Sequence, residues 1–410
     1  IPLNECRKHV KYGLRKAFAI NARKIGAMGD DLMVDMKLYT LHYCKQDTLI
    51  LAQAFIKFRK QILEVCKIDI IPLVSLPQLS DDFLKSKGVY TGCYAISGIA
   101  QDFIRRCCVG GRVMTNANQK WHIKVDKQTT LVKTNVGRGS GCSLDTKLPE
   151  SNINAGAIMD FDAVSLYPSA MSMMPGYVMG LPKVLSKDQM DNFDTLKQSF
   201  DAYYVEIEVT SHTQDREFPL LSIKSKAGIR NFTNEIDGER FYLDNIALED
   251  LIEFQGVEFK VIRGYYYDDG LNTKINEVIT FMFNERLRLK KEGNNLQNVY
   301  KLLMNASYGK LIQKAIKSSK KFIEADQLRK YVGRNHKFID SYTKVNDNLY
   351  AVKENKSTIT HFTACHLAAN ILSMSKRLMN RVMCLAEDTD IKIYYQDTDS
   401  MHLHASAIPL

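Results

Sequence analysis

The run from Ile391 to His404 constrains this chain most. Two short strand-like segments, Ile391–Tyr395 and Ser400–His404, flank a tight turn holding Asp397-Thr398-Asp399. Residues two apart in extended backbone share a face, so Asp397 and Asp399 are expected to project together from the end of a hairpin. A carboxylate at a buried strand end is costly unless it is paired or holds a cation. Two further acidic clusters lie among apolar residues. One is Asp160-Phe161-Asp162, where a buried strand from Ala157 to Phe161 is expected to give way to a turn and a helix. The other is Tyr43-x3-Asp47. Hard divalent ions favour such oxygen sites, and two ions about 3.5–4 Å apart can serve an in-line phosphoryl displacement. Taken alone, Asp-Thr-Asp-Ser reads more readily as a capped turn than as a metal site, because these are common turn residues.

The chain around this hairpin is long enough, at 410 residues with 45% hydrophobic, for two or three domains. Residues 37–66 carry the helical period, and Pro72 and Pro77 break it. Residues 107–145 read as short strands, with Gly137-Arg138-Gly139-Ser140-Gly141 an ordinary loop, since no Gly-Lys-Ser/Thr follows. Residues 203–210 and 259–267 alternate as strands, with a helix over 245–254 between them. Two long helices are expected over 275–316, broken at Gly293-Asn294-Asn295. Residues 318–356 look basic and irregular, and 358–388 helical. No run of 18 apolar residues is free of charge, so no membrane span is expected. Nine scattered cysteines without a C-x-x-C pair point to reduced thiols and an intracellular protein, with the compartment open. The net charge of +10 suits a polyanionic partner, or simply a basic protein.

Residues 298–309 read Asn-Val-Tyr-Lys-Leu-Leu-Met-Asn-Ala-Ser-Tyr-Gly. The spacing predicts Lys301, Asn305 and Tyr308 on one helical face. A Lys there can neutralise a triphosphate as a point charge, an aromatic ring can stack on a base, and Gly309 permits close approach. Arg286 and Lys290 on the preceding helix would add positive charge, whereas Arg288 and Lys291 read as a solvated face.

Three segments together resemble family B DNA polymerases, and they stand in that family's order. DAVSLYPSAM (162–171) is similar to motif A, KLLMNASYG (301–309) to motif B, and YQDTDS (395–400) to motif C. The resemblance covers most of residues 37–404. The long intervals between motifs resemble the protein-primed branch, which replicates linear viral, plasmid and transposon genomes. Two departures stand out: Ala306 replaces the serine of motif B, and Cys108-Val109-Gly110-Gly111 lacks the tyrosine of the linker motif Tyr-x-Gly-Gly.

The resemblance implies an α+β fold: a right-hand polymerase palm of antiparallel sheet with helices, and two-helix fingers. The end of a 3′–5′ exonuclease-like domain would precede them, with the thumb missing. The expected division is 1–78 exonuclease-like, 79–150 linker and start of palm, and 151–200 palm with motif A. An insertion over 201–274 resembles the terminal-protein region. Fingers over 275–316, a second insertion over 317–356 and palm with motif C over 357–410 complete it. The start at Ile1 reads as an interior cut. Asp162, Asp397 and Asp399 would hold two Mg²⁺, with Mn²⁺ as a substitute. Lys301, Lys290, Arg286, Asn305, Tyr167 and Tyr308 would bind the nucleotide. Ser165, Gly309, Thr398, Gly110, Gly111 and Arg112 would meet primer and template, and Tyr43 with Asp47 would be an exonuclease remnant. Partners implied are primer–template DNA, deoxynucleoside triphosphates and a terminal protein carrying a priming hydroxyl; no membrane is expected, and the chain is expected as a monomer. Two rival readings remain at this stage: a nucleic-acid-binding remnant that has lost catalysis, and a reverse transcriptase or RNA polymerase.

Overall fold

The computed structural model describes residues 1–115, 158–225, 227–314, 318–356 and 361–407. The 137–141 loop and the strands expected from 116 to 145 lie outside the described residues. The chain divides into two compact units, Ile1–Val74 and Ser75–Leu410.

The first unit holds helices α1 (Leu3–Lys8), α2 (Arg15–Lys24) and α3 (Met36–Cys66). Its small core packs Leu3, Cys6, Phe18, Ala22, Met28 and Val34. Asp35 caps α3 by accepting from the Leu38 amide at 3.0 Å, which satisfies one of the donors that every helix start leaves open. The helix ends at Lys67, whose φ of +57° turns the chain.

In the second unit, Pro77 does not stop a helix but opens one. It sits in the first turn of α4 (Leu76–Ser86), where the missing N–H costs nothing. Next come α5 (Gly98–Cys107), β1 (Val113–Thr115), β2 (Ile158–Asp162), α6 (Leu166–Met173), β3 (Tyr177–Val178) and β4 (Lys183–Val184). Two short helices, α7 (Lys187–Asp191) and α8 (Phe193–Leu196), lead into β5 (Ala202–Ser211), β6 (Ser222–Lys224), β7 (Arg230–Phe232) and β8 (Arg240–Asp244). Then follow α9 (Asn245–Gln255), β9 (Glu258–Tyr267), β10 (Leu271–Asn272), α10 (Lys274–Lys291) and α11 (Gln297–Ala306). The chain continues through β11 (Ser318–Glu324), α12 (Ala325–Asn335), β12 (Ile339–Asn346), β13 (Leu349–Asn355), α13 (Cys365–Asp388), β14 (Ile393–Asp397) and β15 (Ser400–His404).

Two four-stranded antiparallel sheets organise this unit, in the orders β1-β14-β15-β2 and β4-β9-β5-β8. The second packs Val205, Ile207, Val209, Leu243 and Val261 against Leu248 and Leu251 of α9. In the first, Ile393, Met401 and Leu403 meet Met379 and Met383 of α13. The expected α+β architecture is therefore present. Residues 318–356 correct their expectation: they are regular, a three-stranded sheet β11-β13-β12 with α12. β12 is almost wholly exposed, so its two faces carry no hydrophobic contrast that would show the strand period. The expected buried strand at 157–161 is also corrected. Among the described residues β2 is an edge strand, with a neighbour on only one side, and its residues are half-buried or exposed.

Candidate active site

Backbone pairing brings the distant carboxylates together. Val113 pairs with Asp397, Asp397 with Ser400, and Ser400 with Asp162. These four residues form one rung across the whole sheet, and side chains on a rung share a face. The Asp162 and Asp397 backbones therefore stand about 10 Å apart, two strand spacings, with Ser400 between. Asp399 occupies the turn, where its carbonyl accepts from the Ala163 amide at 2.7 Å. That bond fastens the 162–163 corner to the hairpin.

All three carboxylates are exposed, which corrects the expectation of a buried strand end. The Asp397 carboxylate accepts from Tyr395 Oη at 3.3 Å and Thr398 Oγ1 at 3.2 Å. Asp160, two residues along the same strand, faces His402 at 3.4 Å and so is set apart from the trio. Ser165 and Thr398 each hold φ of +52°, a left-handed backbone that costs a non-glycine residue about 1–3 kcal/mol. Gly111 lies beneath Thr398, and a Cβ there would meet Thr398 Cγ2 at 2.6 Å. Glycine is required for that approach. Gly110 is exposed beside it.

Three hard anionic donors on one open sheet end are the right chemistry for a divalent ion such as Mg²⁺. Among the described residues, no three His, Cys, Asp or Glu side chains converge into a ready cage. The backbone register is the observation that brings them to one end of the sheet, and the donor set fits the ion.

Above the hairpin stand α6 and the two helices α10 and α11. Tyr167 stacks on Tyr308, ring centroids 4.0 Å apart and 19° between planes. Burial, then Tyr308, then the Asp399 charge hold the Tyr167 hydroxyl above its usual pKa. Arg286 Nη1 donates to Ser165 Oγ at 3.3 Å, so α10 reaches the corner after Asp162. Lys290 is half-buried, while Lys301 and Asn305 are exposed on α11. The single face expected for Lys301, Asn305 and Tyr308 is corrected. α11 ends at Ala306, and Tyr308 and Gly309 lie in the following turn. Ser307, fully buried, turns its hydroxyl back onto the Met304 carbonyl at 2.7 Å, which competes with helix continuation. Arg288 pairs with Glu285 and Glu292 at 2.9 and 2.8 Å, as a solvated face does.

Arg112, expected on the primer–template surface, is instead buried at 3% exposure. Its guanidinium donates to Asn380 Oδ1 at 2.9 Å and Gln396 Oε1 at 3.1 Å and lies over the Phe232 ring. Burial pulls its pKa down to about 10, which leaves it charged at neutral pH. Its carbonyl accepts from the Thr398 amide at 2.8 Å. Asn380 passes the chain on to Asp250 at 2.9 Å, and Arg377 holds Asp250 at 2.5 Å. A buried polar relay thus runs from α9 through α13 to Gln396, the residue before Asp397. The sequence carried a weak signal for it: Asn380 interrupts the apolar face of a long helix.

In the first unit, Tyr43 and Asp47 are both exposed on α3. A hydrogen bond to Asp47 raises the Tyr43 pKa. They share a face as expected.

The family model for type B DNA polymerases of organelles and viruses matches residues 16–126 and 138–390. A DNA polymerase of Acidianus bottle-shaped virus (isolate Italy/Pozzuoli) is 30% identical over 167 residues, 37% of this chain and 23% of the viral protein. A probable DNA polymerase of Neurospora intermedia is 25% identical over 283 residues, 67% of this chain and 25% of that protein. The chain thus spans about a quarter of the length of these relatives. Phi29 DNA polymerase, in its ternary complex with primer-template DNA and incoming nucleotide substrates, shares the fold. The TM-score is 0.53 at 17% identity, over 92% of this chain and 54% of that one.

Proposed function

This chain belongs to the type B DNA polymerases of organelles and viruses, and from that premise we propose that it is the core of a template-directed, protein-primed DNA polymerase. The observation that carries the proposal is the Asp397–Ser400–Asp162 rung, with Asp399 fastened at its turn.

Asp162, Asp397 and Asp399 would hold two Mg²⁺ or Mn²⁺ ions, which would lower the nucleophile's pKa and offset charge on the leaving pyrophosphate. The reaction joins a primer hydroxyl, or the hydroxyl of a terminal protein, to the nucleotide's α-phosphorus as the bond to pyrophosphate breaks. Lys301, Lys290 and Arg286 would gather the triphosphate. Arg286 is already aimed at the corner by its bond to Ser165. The Tyr167–Tyr308 stack supplies a flat wall. Tyr167 would pack under the sugar and leave no room for a 2′-hydroxyl. Asn305 and Gly309 would border the nascent base pair. Thr398, raised on Gly110-Gly111, would meet the primer end.

Replacing Asp162 or Asp399 by Asn should abolish primer extension in Mg²⁺ while DNA binding persists. Extension at the wild-type rate by either variant would refute the assignment. A second reading, a binding-only remnant, draws on the lack of side-chain convergence among the three carboxylates. Filter binding run beside an extension assay on the unaltered chain separates the two: binding without extension favours the remnant.

A further inference from the structure

A cavity of about 470 Å³ opens between α5, the β6–β7 hairpin, β8, α9 and α13, within the usual range for small-ligand pockets of about 300–1,000 Å³. Positive charge dominates its lining. Some of that charge is already engaged: Arg105 holds the carbonyls of Ile312 and Gln313, Arg106 pairs with Asp102, and Arg240 pairs with Glu208. Lys224, Arg230 and Lys376 also line it, and none of them has an ion pair with a described residue. Of the two carboxylates in the lining, Glu239 is exposed, and Asp250 is taken by Arg377 and Asn380.

Lys376 is the telling group. Its amine makes no hydrogen bond among the described residues. Burial holds its pKa below the ordinary lysine value, and Asp244 and Asp250 act on it only through space. A half-buried ammonium with no ion pair to a described residue leaves positive charge on the cavity wall, and an anion entering the cavity would offset it. Lys376 is half-buried, while Lys224 and Arg230 are exposed, so an anion held by all three accepts from more than one direction. A phosphate has the oxygens for this, and Leu221, Leu243 and Leu251 offer apolar wall for the remainder of the ligand.

We propose that this cavity binds the phosphate of a nucleotide or of a nucleic-acid strand, with Lys376 at its floor and Lys224 and Arg230 at its mouth. The site is separate from the carboxylate hairpin and rests on the polymerase reading only for the class of ligand. It also touches the relay: Asn380 lines the cavity one helical turn from Lys376 and accepts from Arg112.

The test uses the full chain and two probes, inorganic tripolyphosphate by calorimetry and single-stranded oligothymidylate by filter binding across salt. A Lys301→Ala background removes the triphosphate contact proposed for the fingers, so residual polyphosphate binding reports the cavity. Lys376→Met should weaken at least one probe tenfold or more. Loss for tripolyphosphate alone assigns the site to a free nucleotide. Loss for the oligonucleotide, with a salt slope smaller by about one, assigns it to a strand phosphate. Arg230→Gln, at an exposed position, should cause a smaller loss of the same kind and decides the matter if Lys376→Met does not fold. Unchanged affinity for both probes in variants that melt like the parent overturns the proposal. Binding is read without extension, so a chain that binds at the cavity yet extends nothing refutes the polymerase reading alone.

Discussion

The sheet β4-β9-β5-β8 contains two strands of ten residues, β5 and β9, and six consecutive residues of β5, from 202 to 207, are buried. The sheet β1-β14-β15-β2 has strands of three to five residues, an exposed end bearing three carboxylates, and two non-glycine residues in left-handed backbone beside them. Dense burial belongs to the part that carries stability. Exposure, like charges and local strain belong to the part offered to substrate. The two sheets should therefore respond to substitution in opposite ways.

The sharpest contrast is Ile207→Ala in the dense sheet, where Ile207 is fully buried. We expect a loss of about 2–5 kcal/mol of stability, read by denaturant unfolding, with turnover per folded molecule unchanged. A fall in turnover at full folding would break the division.

Next is pH. Asp244, fully buried at the end of β8, has its pKa raised to about 6 by burial, against 3.8 ordinarily. The unfolded chain gives up this proton near pH 4 while the folded chain keeps it to about pH 6. Stability from this group therefore falls as pH rises through that window and is flat above it. The difference is about 3 kcal/mol at 1.36 kcal/mol per unit. Asp244→Asn should flatten the slope in urea unfolding between pH 4 and 6; parallel curves for the two proteins would contradict it.

Arg112→Gln sits on the boundary between the sheets. It strands Asn380 and Gln396, at about 1–3 kcal/mol for each buried group left unpaired. It should also lower turnover about tenfold through the hairpin, leaving the KM for nucleotide little changed. A stability loss with turnover intact would make the relay a scaffold only. The smallest effect expected is for Tyr167→Val, which should relax sugar discrimination by about tenfold or more, equal to about 1.4 kcal/mol. Parallel incorporation assays with ribo- and deoxynucleotides read it, and unchanged selectivity argues against Tyr167 as the gate.

The hairpin and its tight turn were legible in the sequence, but the shared extended face expected for Asp397 and Asp399 was not found, because Thr398 takes a left-handed backbone and Asp399 lies in the turn. Helix α3 and strands β5 and β9 followed from period alone. What escaped depended on neighbours distant in the chain. Nothing local says that β2 is an edge strand, or that Ser307 would bond back to Met304 and end α11 before Tyr308. Arg112 looked like a surface cation because arginine usually is one. Its burial needed Asn380 and Gln396, more than 260 residues away, to supply acceptors. The strands within 318–356 were masked by lysines and polar residues on exposed faces, where period gives no hydrophobic signal.

The account depends most on Asp162 and Asp399 acting at one place. Comparing primer-extension rates of Asp162→Asn, Asp399→Asn and the double variant tests this directly. Residues that work as a unit are grossly non-additive, so the double variant should lose no more than either single one. Losses that multiply across the two positions, in chains that still bind DNA, would place the two carboxylates in separate roles and contradict the shared site.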